Sequence, residues 1–206
     1  MKSIRRKSMK IPKTLINTEK SRTMVTFSSE CGNALKKHIV LKEKNEHIRW
    51  LLIFEKTAPK TIDIAVTLAA KGARADIGFA WHGTTKMASD IALTVSHEAQ
   101  ETGSRVAFRA ALEDAAKVSF RGLAQIAKKA VDSRAHLSAK ALMLSPKVTA
   151  FLKPDLEVAT SEAVAGHGSS VGRPSDKELF YFASRGIPET HAKKMLCRAF
   201  LKDIIF

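Results

Sequence analysis

His167 has the surroundings that most favour chemistry, because it lies in the glycine-rich stretch AGHGSSVG of residues 165–172. Gly166 and Gly168 flank it, and glycine lets the backbone adopt unusual angles and leaves a neighbouring imidazole uncovered. A neutral imidazole is a borderline-soft ligand that suits iron or zinc, and it titrates near physiological pH. The residues alone leave two interpretations open: a metal-ligating histidine at an exposed turn, or a tight turn with an incidental histidine.

The remaining histidines and the cysteines show no local metal-ligand spacing. No two of the seven histidines are three or four residues apart, so no pair forms on one helix face. His82, between Trp81 and Gly83, comes nearest to a site, and strand alternation turns it outward at a loop edge. Cys31 and Cys197 are far apart and form no CxxC pair. We therefore expect neither a disulfide framework nor a zinc or cluster ligand set from this chain alone.

Signatures of known enzyme classes are missing from the sequence. It contains no GxxxxGK[ST] phosphate loop, no GxGxxG, no GxSxG elbow and no HExxH zinc motif. We predict that the protein is not an enzyme. An enzyme with an unrecognised site is kept only as a third hypothesis, after a scaffold and a nucleic-acid-binding module.

Short apolar–polar alternations fill residues 24–156 and indicate β-strands, because period two places the apolar residues on one face. Neither a helical pattern nor an Asn-Gly or Asp-Gly hairpin dipeptide separates them. Regular short strands without hairpin turns favour a mainly β fold, a parallel β-solenoid, with a sandwich or barrel as the alternative. The apolar runs begin at intervals of 13, 16, 15 and 12 residues, at Ile62, Ala75, Ile91, Val106 and Val118.

The C-terminal residues change to a helical pattern. Ser175 and Glu178 fit a capping box, and Gly186 is a natural residue to end the helix that follows. Pro188 then suits the first turn of a second helix. The second helix has one apolar face, and we predict a small helical hairpin with an apolar surface to bury. That face carries Ala192, Met195, Leu196, Ala199 and Phe200.

Charge divides the chain into segments. The formal net charge is +15, with 35 Lys+Arg against 20 Asp+Glu, and such a field attracts polyanions. Residues 1–22 hold eight Lys/Arg and one acid. We predict that they form a flexible basic arm, with an anion-binding arm or a targeting segment as alternatives. A β-helix core over residues 23–172 and a helical segment over 173–206 follow.

Membrane and export features are not evident. No run approaches the roughly 18 uncharged apolar residues of a membrane span. No hydrophobic signal peptide precedes the core, since the N-terminal residues are basic and polar. We expect a cytoplasmic protein without a membrane partner.

The sequence resembles the SufB/SufD family of iron–sulfur cluster assembly scaffolds. GHGSSVGR at 166–173, ELFYF at 178–182 and SRGIP at 184–188 are similar to the family's HGATVG-like turn and LFYL…SRGI helix. Upstream, LMLSP at 142–146 and KPDLEV at 153–158 are similar to LLLS and KPxLEI, and AKVSFRG at 116–122 to ARSVFxG. The resemblance covers roughly residues 90–206. The dipeptide His167-Gly168 resembles the SufD branch more than the SufB branch. The chain as a whole resembles a shortened SufD.

The resemblance implies a right-handed parallel β-helix with C-terminal helices and a scaffolding function. SufD-like chains pair with a SufB-like subunit through their β-helices, and each carries a SufC-type ABC ATPase on its C-terminal helices. Here the alternative to a SufB-like partner is a second copy of this chain. His167, with Gly166 and Gly168, matches the subunit interface near the assembly site. The segment that matches the ATPase-facing region holds Phe180, Tyr181, Arg185 and Gly186, and the second helix adds Leu196 and Phe200.

Two departures from the family bear on cluster binding. Many relatives have cysteine at the place of Ala165, and SufB-type tails often have one at the place of Leu201. Iron–sulfur clusters are usually held by cysteine thiolates. We therefore expect no stably bound cofactor, and at most a transient cluster shared with a partner subunit, with His167 as the candidate metal ligand.

Length and charge leave two further expectations. Familiar relatives are about twice as long, and a β-helix without its cap has an edge strand that must be covered by the basic arm, a partner or another copy. The alternative function is a basic nucleic-acid-binding β-solenoid module. It is disfavoured by an aromatic content of only 6%, because single-strand binders need aromatic platforms.

Overall fold

A computed structural model describes residues 21–85 and 87–204, which form a parallel β-solenoid of about five coils followed by two helices. The alternation of apolar and polar residues predicted the strands, and the apolar member of each alternation is the buried one. The strands are β1 (Ser21–Phe27), β2 (Ala34–Leu41), β3 (His47–Glu55), β4 (Thr61–Leu68), β5 (Arg74–Gly83), β6 (Ala88–His97), β7 (Gly103–Leu112), β8 (Lys117–Ile126), β9 (Arg134–Met143), β10 (Thr149–Val158) and β11 (Val164–Gly172).

The strands of each coil divide between two sheets. Odd-numbered strands form one sheet in the order β1-β3-β5-β7-β9-β11, and even-numbered strands form the other in the order β10-β8-β6-β4-β2. Arg74 pairs with Gly103 and Gly103 with Arg134, so successive coils take 29 and 31 residues. All described strand pairs are parallel. The predicted β-solenoid is therefore confirmed, and the sandwich and barrel alternatives are wrong.

The corners repeat because each coil turns at an equivalent residue in the left-handed region. Asn45, Gly72, Glu101 and Asp132 all have positive φ, between 57° and 74°. The backbone N–H of each donates to a carbonyl of the next coil. Only glycine adopts this conformation without a steric penalty from a Cβ atom, so the three non-glycine residues depend on the stacked corners around them.

Aromatic residues fill the centre of the solenoid. The rings of Phe108 and Phe120 come from opposite sheets and stack at 4.3 Å between centroids, and Phe79 packs against both. All three are completely buried, and burying one such side chain stabilises a fold by roughly 1.5–3 kcal/mol. Trp81 also forms a buried hydrogen bond, in which its indole N–H donates to the Ser89 hydroxyl. The interior of the inner coils is thus filled by their own side chains.

The helices α1 (Asp176–Ala183) and α2 (Glu189–Lys202) follow the last strand and confirm the predicted hairpin. The predicted capping box is present: the Ser175 hydroxyl accepts from the Glu178 backbone N–H, and the Glu178 carboxylate accepts from the Ser175 N–H. Gly186 lies just beyond α1 with φ of +70°. Neither helix of the described residues is long and apolar enough to cross a membrane.

Helix α2 packs on the outward face of the solenoid, against β7 and β5. Cys197 is buried there with Ala111 and Leu144, and Phe200 and Leu201 pack at the margin of this cluster. At the end of the helix the Arg109 guanidinium lies 3.4 Å from the Asp203 carboxylate. Arg109 is buried on an outward position of β7, and its guanidinium also donates to the Phe108 carbonyl and the Ser138 hydroxyl.

Most of the predicted basic arm lies outside the described residues, but its last two residues do not. Strand β1 begins at Ser21 and pairs with β3, so Ser21 and Arg22 belong to the solenoid. The predicted boundary after residue 22 therefore falls within β1. Arg22 is held there by an ion pair with Glu46, whose carboxylate also accepts from the backbone N–H groups of Lys42 and Glu43.

Candidate functional site

His167 is exposed in β11, where it is paired with Leu137 of β9. Because β11 is the final strand of its sheet, its other edge has no strand neighbour within the described part of the chain. Gly168 is open as well, since a Cβ atom there would meet no described heavy atom within 4 Å. The glycine-rich stretch is therefore an extended edge strand and not a tight turn. The structure leaves the imidazole accessible to a ligand or a partner.

Apolar side chains are exposed on the same final coil. Val164 of β11 is 68% exposed and Phe151 of β10 is 51% exposed, and Val158 and Val171 are also exposed. The inner strands bury nearly all of their large apolar residues, so these four distinguish the last coil from the others. An unpaired strand edge with exposed apolar neighbours is a surface that proteins usually cover. We call β10 and β11 the terminal coil.

Helix α1 adds a second exposed apolar surface. Phe180 is 74% exposed and Tyr181 is 54% exposed, and no residue of α1 is buried. The Arg185 guanidinium lies 4.5 Å from the centre of the Tyr181 ring, a cation–π distance that orders both side chains. Aromatic and arginine side chains are the types enriched at the centres of protein interfaces.

The two α2 residues predicted to bind the ATPase partner lie differently from those of α1. Phe200 packs against the cluster beneath α2, so it contacts the solenoid of the same chain, and Leu196 is half-buried. Met195 of the same helix is exposed. The structure thus groups Phe180, Tyr181 and Arg185 at one surface and does not bring Phe200 to it.

A set of metal-ligand side chains was missed by the sequence analysis. His82, Glu113 and Cys197 come from β5, the turn after β7 and α2, and their ligand atoms all lie within 4.8 Å of one another. The sequence predicts no zinc-type ligand set from this chain alone, whereas the fold brings one histidine, one carboxylate and one cysteine together here. Local spacing gave no signal, because they are far apart in sequence. Only the predicted outward orientation of His82 at a loop edge pointed towards them.

An open groove of about 840 Å³ runs over the first residues of the odd-numbered strands. Its walls mix four arginines, Arg49, Arg74, Arg105 and Arg134, with three acids, Asp76, Glu101 and Asp132. The His47 imidazole also lies 2.9 Å from the Asp76 carboxylate. This mixture is not the one-sign surface that binds polyanions strongly, and no Phe, Tyr or Trp is among the described residues that line it.

The fold and its exposed end define a class: a parallel β-solenoid whose last coil and following helix expose apolar side chains. The family model for the SUF system FeS cluster assembly SufBD core domain matches residues 12–200. The chain belongs to the SufB/SufD family of iron–sulfur cluster assembly proteins.

Individual relatives agree with the family match. An iron–sulfur cluster assembly SufBD family protein of Staphylococcus saprophyticus is 30% identical over 133 residues, which is 65% of this chain and 28% of the relative. One of Mycobacterium leprae is 29% identical over 135 residues, 66% of this chain and 15% of the relative. One of Staphylococcus aureus is 29% identical over 133 residues. The matched segments thus span less than a third of the relatives' own length.

Proposed function

We propose that this protein is a SufD-like scaffold subunit in iron–sulfur cluster assembly. In this proposal it docks a SufC-type ABC ATPase through its C-terminal helices and pairs through its terminal coil with a SufB-like chain or a second copy of itself. The observation that carries the proposal is the exposed apolar surface of the terminal coil and α1, on a core of the SufBD family. A chain in this function is a scaffold and not an enzyme.

Helix α1 is the element that we assign to the ATPase. Phe180 and Tyr181 contribute large apolar side chains that the solenoid leaves uncovered, and Arg185 adds a fixed charge beside them. Truncating such an anchor in a well-packed interface typically costs at least about 2 kcal/mol of binding. The half-buried Phe200 then has a supporting function, because it helps to hold α2 on the solenoid while α1 contacts the partner. Leu196 of the same helix is also half-buried.

The terminal coil is the element that we assign to subunit pairing. Its unpaired β11 edge offers backbone N–H and C=O groups to another strand, and Val164 and Val171 of that strand offer apolar contact. Phe151 adds an exposed ring on β10, the last strand of the other sheet. His167 lies on this edge strand and would face the joined subunit. Parallel pairing across the junction would continue the solenoid or extend one of its sheets.

Cluster chemistry in this proposal belongs to the pair and not to the single chain. His167 offers one nitrogen ligand, and Ala165 occupies the position where many relatives have a thiol. Cys197 lies beside strands β5 and β7, two coils before the strand that carries His167. The remaining thiolates must come from the partner, so the cluster is a transient cargo at the interface and no cofactor is bound stably.

Two matched variants test the two surfaces separately. We expect Phe180→Asp to abolish co-purification with the ATPase and to leave subunit pairing intact, because its side chain lies on α1. We expect Phe151→Asp to abolish pairing and to leave ATPase binding intact, because its side chain lies on the terminal coil. Both side chains are exposed in the unpaired chain, so neither substitution disturbs the core. Failure to form any complex with the ATPase, with or without nucleotide, would overturn the proposal.

Nucleic-acid binding is the competing function, and the mixed charges of the arginine groove do not favour it. It predicts a salt-dependent gel shift that survives deletion of residues 1–20 and is weakened by Arg74→Ala with Arg105→Ala. The scaffold proposal predicts that any shift is lost with the arm, because seven of the Lys/Arg and only one acid lie in residues 1–20.

A further inference from the structure

The cluster of His82, Glu113 and Cys197 combines a nitrogen, an oxygen and a sulfur donor at one place. The His82 Nε2 atom lies 3.0 Å from Glu113 Oε1, and the Cys197 sulfur lies within 4.8 Å of the ligand atoms of both. Each residue comes from a different element. A cation bound by all three would join α2 to the solenoid.

The fold fixes two of these residues relative to one another. His82 is the second-last residue of β5, and Glu113 follows β7 directly. The Glu113 backbone N–H donates to the Gly83 carbonyl at 2.8 Å, which continues the ladder between the two strands for one more residue. The imidazole and the carboxylate therefore lie side by side at the C-terminal ends of two neighbouring strands.

Helix α2 supplies the sulfur from the side. Its packing on the outward face of β7 buries Cys197 against Ala111 and Leu144, and the contact between Arg109 and Asp203 holds the end of the helix. The His82 and Glu113 side chains remain 22% and 31% exposed. The thiol thus forms the floor of a site that is open to solvent through the other two residues.

The geometry suits a small cation of the zinc class. Zinc lies about 2.0–2.1 Å from imidazole nitrogen, about 2.0–2.2 Å from carboxylate oxygen and about 2.3 Å from thiolate sulfur. Tetrahedral ligands at those distances are roughly 3.5 Å apart. A bound cation therefore replaces the 3.0 Å hydrogen bond between His82 and Glu113, whose two ligand atoms separate slightly, and it draws the Cys197 sulfur towards them. Three protein ligands leave a fourth position for water.

A second histidine–carboxylate pair differs from the His82 cluster because it has no cysteine beside it among the described residues. His47 and Asp76 lie on the neighbouring strands β3 and β5 at 2.9 Å, with 22% of each side chain exposed. That pair has no cysteine among its described neighbours that completes a ligand set. It is explained by an ordinary hydrogen bond. The presence of the sulfur makes the His82 cluster a donor set and not only an ion pair.

We propose that His82, Glu113 and Cys197 bind one divalent cation of the zinc class, such as Zn²⁺, Fe²⁺ or Co²⁺, and that the cation ties α2 to the solenoid. Binding forms a metal–sulfur bond and releases the thiol proton to solvent. The resulting site is electrically balanced, because the two positive charges of the cation meet one carboxylate and one thiolate. Such a mixed donor set suits this class, whereas magnesium and calcium prefer oxygen ligands.

The Cys197 thiol must lose its proton when it binds a cation. Burial is the main reason that the pKa of this thiol is raised to about 12, and the Glu113 and Glu55 carboxylates contribute in the same direction. A bound cation offsets this cost, because it bonds to the thiolate and neutralises the neighbouring carboxylate.

The site is distinct from the two surfaces that the scaffold proposal assigns to partners. It lies beside strands β5 and β7, and the surfaces assigned to partners are the terminal coil and α1. It requires no second protein and no cluster assembly. The two proposals can therefore fail separately, since one is tested on the purified chain and the other on its complexes.

Cobalt titration of the purified, reduced, metal-free full chain tests the proposal. We expect one equivalent of Co²⁺ to bind with the near-ultraviolet thiolate-to-cobalt absorption and with d–d bands of tetrahedral intensity, and Zn²⁺ to displace it. Cys197→Ser should remove the thiolate absorption. Glu113→Gln, at a half-exposed position that does not endanger folding, should weaken binding at least about 10-fold, since even outer-sphere partners of a ligand are worth about 10–100-fold.

Two control variants separate this site from adventitious binding. Cys31→Ser removes the other cysteine of the chain, and His47→Gln removes the paired histidine that has no thiol partner. Both should bind cobalt as the unmodified chain does. The proposal is overturned if the unmodified chain shows no thiolate absorption, or if Cys31→Ser removes it while Glu113→Gln leaves the affinity unchanged.

Discussion

The inner coils and the terminal coil are built from the same repeat, yet they differ in the burial of their large apolar side chains. Phe79, Phe108 and Phe120 are completely buried in the inner coils, whereas Phe151 of the terminal coil and Phe180 of α1 are half-exposed or more. Each inner strand is covered by the coils on both sides, and the last strand has a neighbour on one side only. The difference shows that the inner coils bury their large apolar side chains within the chain, whereas the terminal coil and α1 leave several of theirs exposed.

The largest expected difference between the two regions is in the free energy of unfolding. Phe120→Ala removes a ring that stacks on Phe108 and leaves a cavity, so we expect a loss of about 3–5 kcal/mol. Phe180→Ala changes an exposed side chain of the same type, and we expect a change within about 0.5 kcal/mol. Chemical denaturation of both variants measures this comparison. Equal losses would mean that α1 is part of the core.

His97 makes the inner coils sensitive to acid. Its ring is completely buried and lies 2.8 Å from the hydroxyl oxygens of both Thr102 and Ser104, and burial lowers its pKa from 6.5 to about 4. As the pH falls from 6.5 to 4, the unfolded chain binds a proton that the folded chain excludes. The free energy of unfolding therefore falls with decreasing pH, by about 3 kcal/mol in full from this group.

The control for acid sensitivity is a histidine that the fold leaves exposed. Between pH 7 and pH 5 we expect the unmodified chain to lose about 2 kcal/mol more than His97→Gln, as measured by denaturation at each pH. His38→Gln, at an exposed position of β2, should show the same pH dependence as the unmodified chain. If His97→Gln retained the full dependence, the buried imidazole would not be its source.

Two glycines give the smallest expected difference in stability between the inner coils and the terminal coil. A Cβ atom on Gly83 would lie 2.0 Å from the Trp81 ring and 2.9 Å from the Ala116 Cβ, so we expect Gly83→Ala to cost about 1–3 kcal/mol. Gly168→Ala on the terminal coil meets no described atom within 4 Å, and it should be neutral within about 0.5 kcal/mol. Thermal unfolding of the two variants compares them. A large loss for Gly168→Ala would indicate that the β11 edge is covered within the chain.

Much of the fold was predictable because its signals are local and repeated. The alternation from Ile62 to Val118 predicts strands, the lack of hairpin turns predicts parallel stacking, and Ser175 with Glu178 predicts the start of α1. The burial of each column of side chains follows from those signals. The start of β1 at Ser21 was missed, because the basic character of Arg22 suggests an arm and its ion pair with Glu46 is a long-range contact.

The candidate sites were predictable only in part, because long-range contacts position some of their residues. His167 and the aromatic residues of α1 are recognisable from a contiguous motif. The docking of α2 on β7 depends on contacts between residues almost a hundred positions apart, as between Arg109 and Asp203. That docking decides that Phe200 faces its own chain, and it brings Cys197 to His82. No local pattern in the sequence carries this information.

Hydrogen–deuterium exchange of the chain, alone and with an ABC-type ATPase of the SufC kind, tests most directly whether the exposed C-terminal region is the partner surface. We predict that the ATPase slows exchange across residues 176–186 and leaves β5 and β7 unchanged, because α1 is exposed and those strands are already covered. Complex formation with unchanged exchange in α1, or with slowing confined to the arginine groove, would contradict this account.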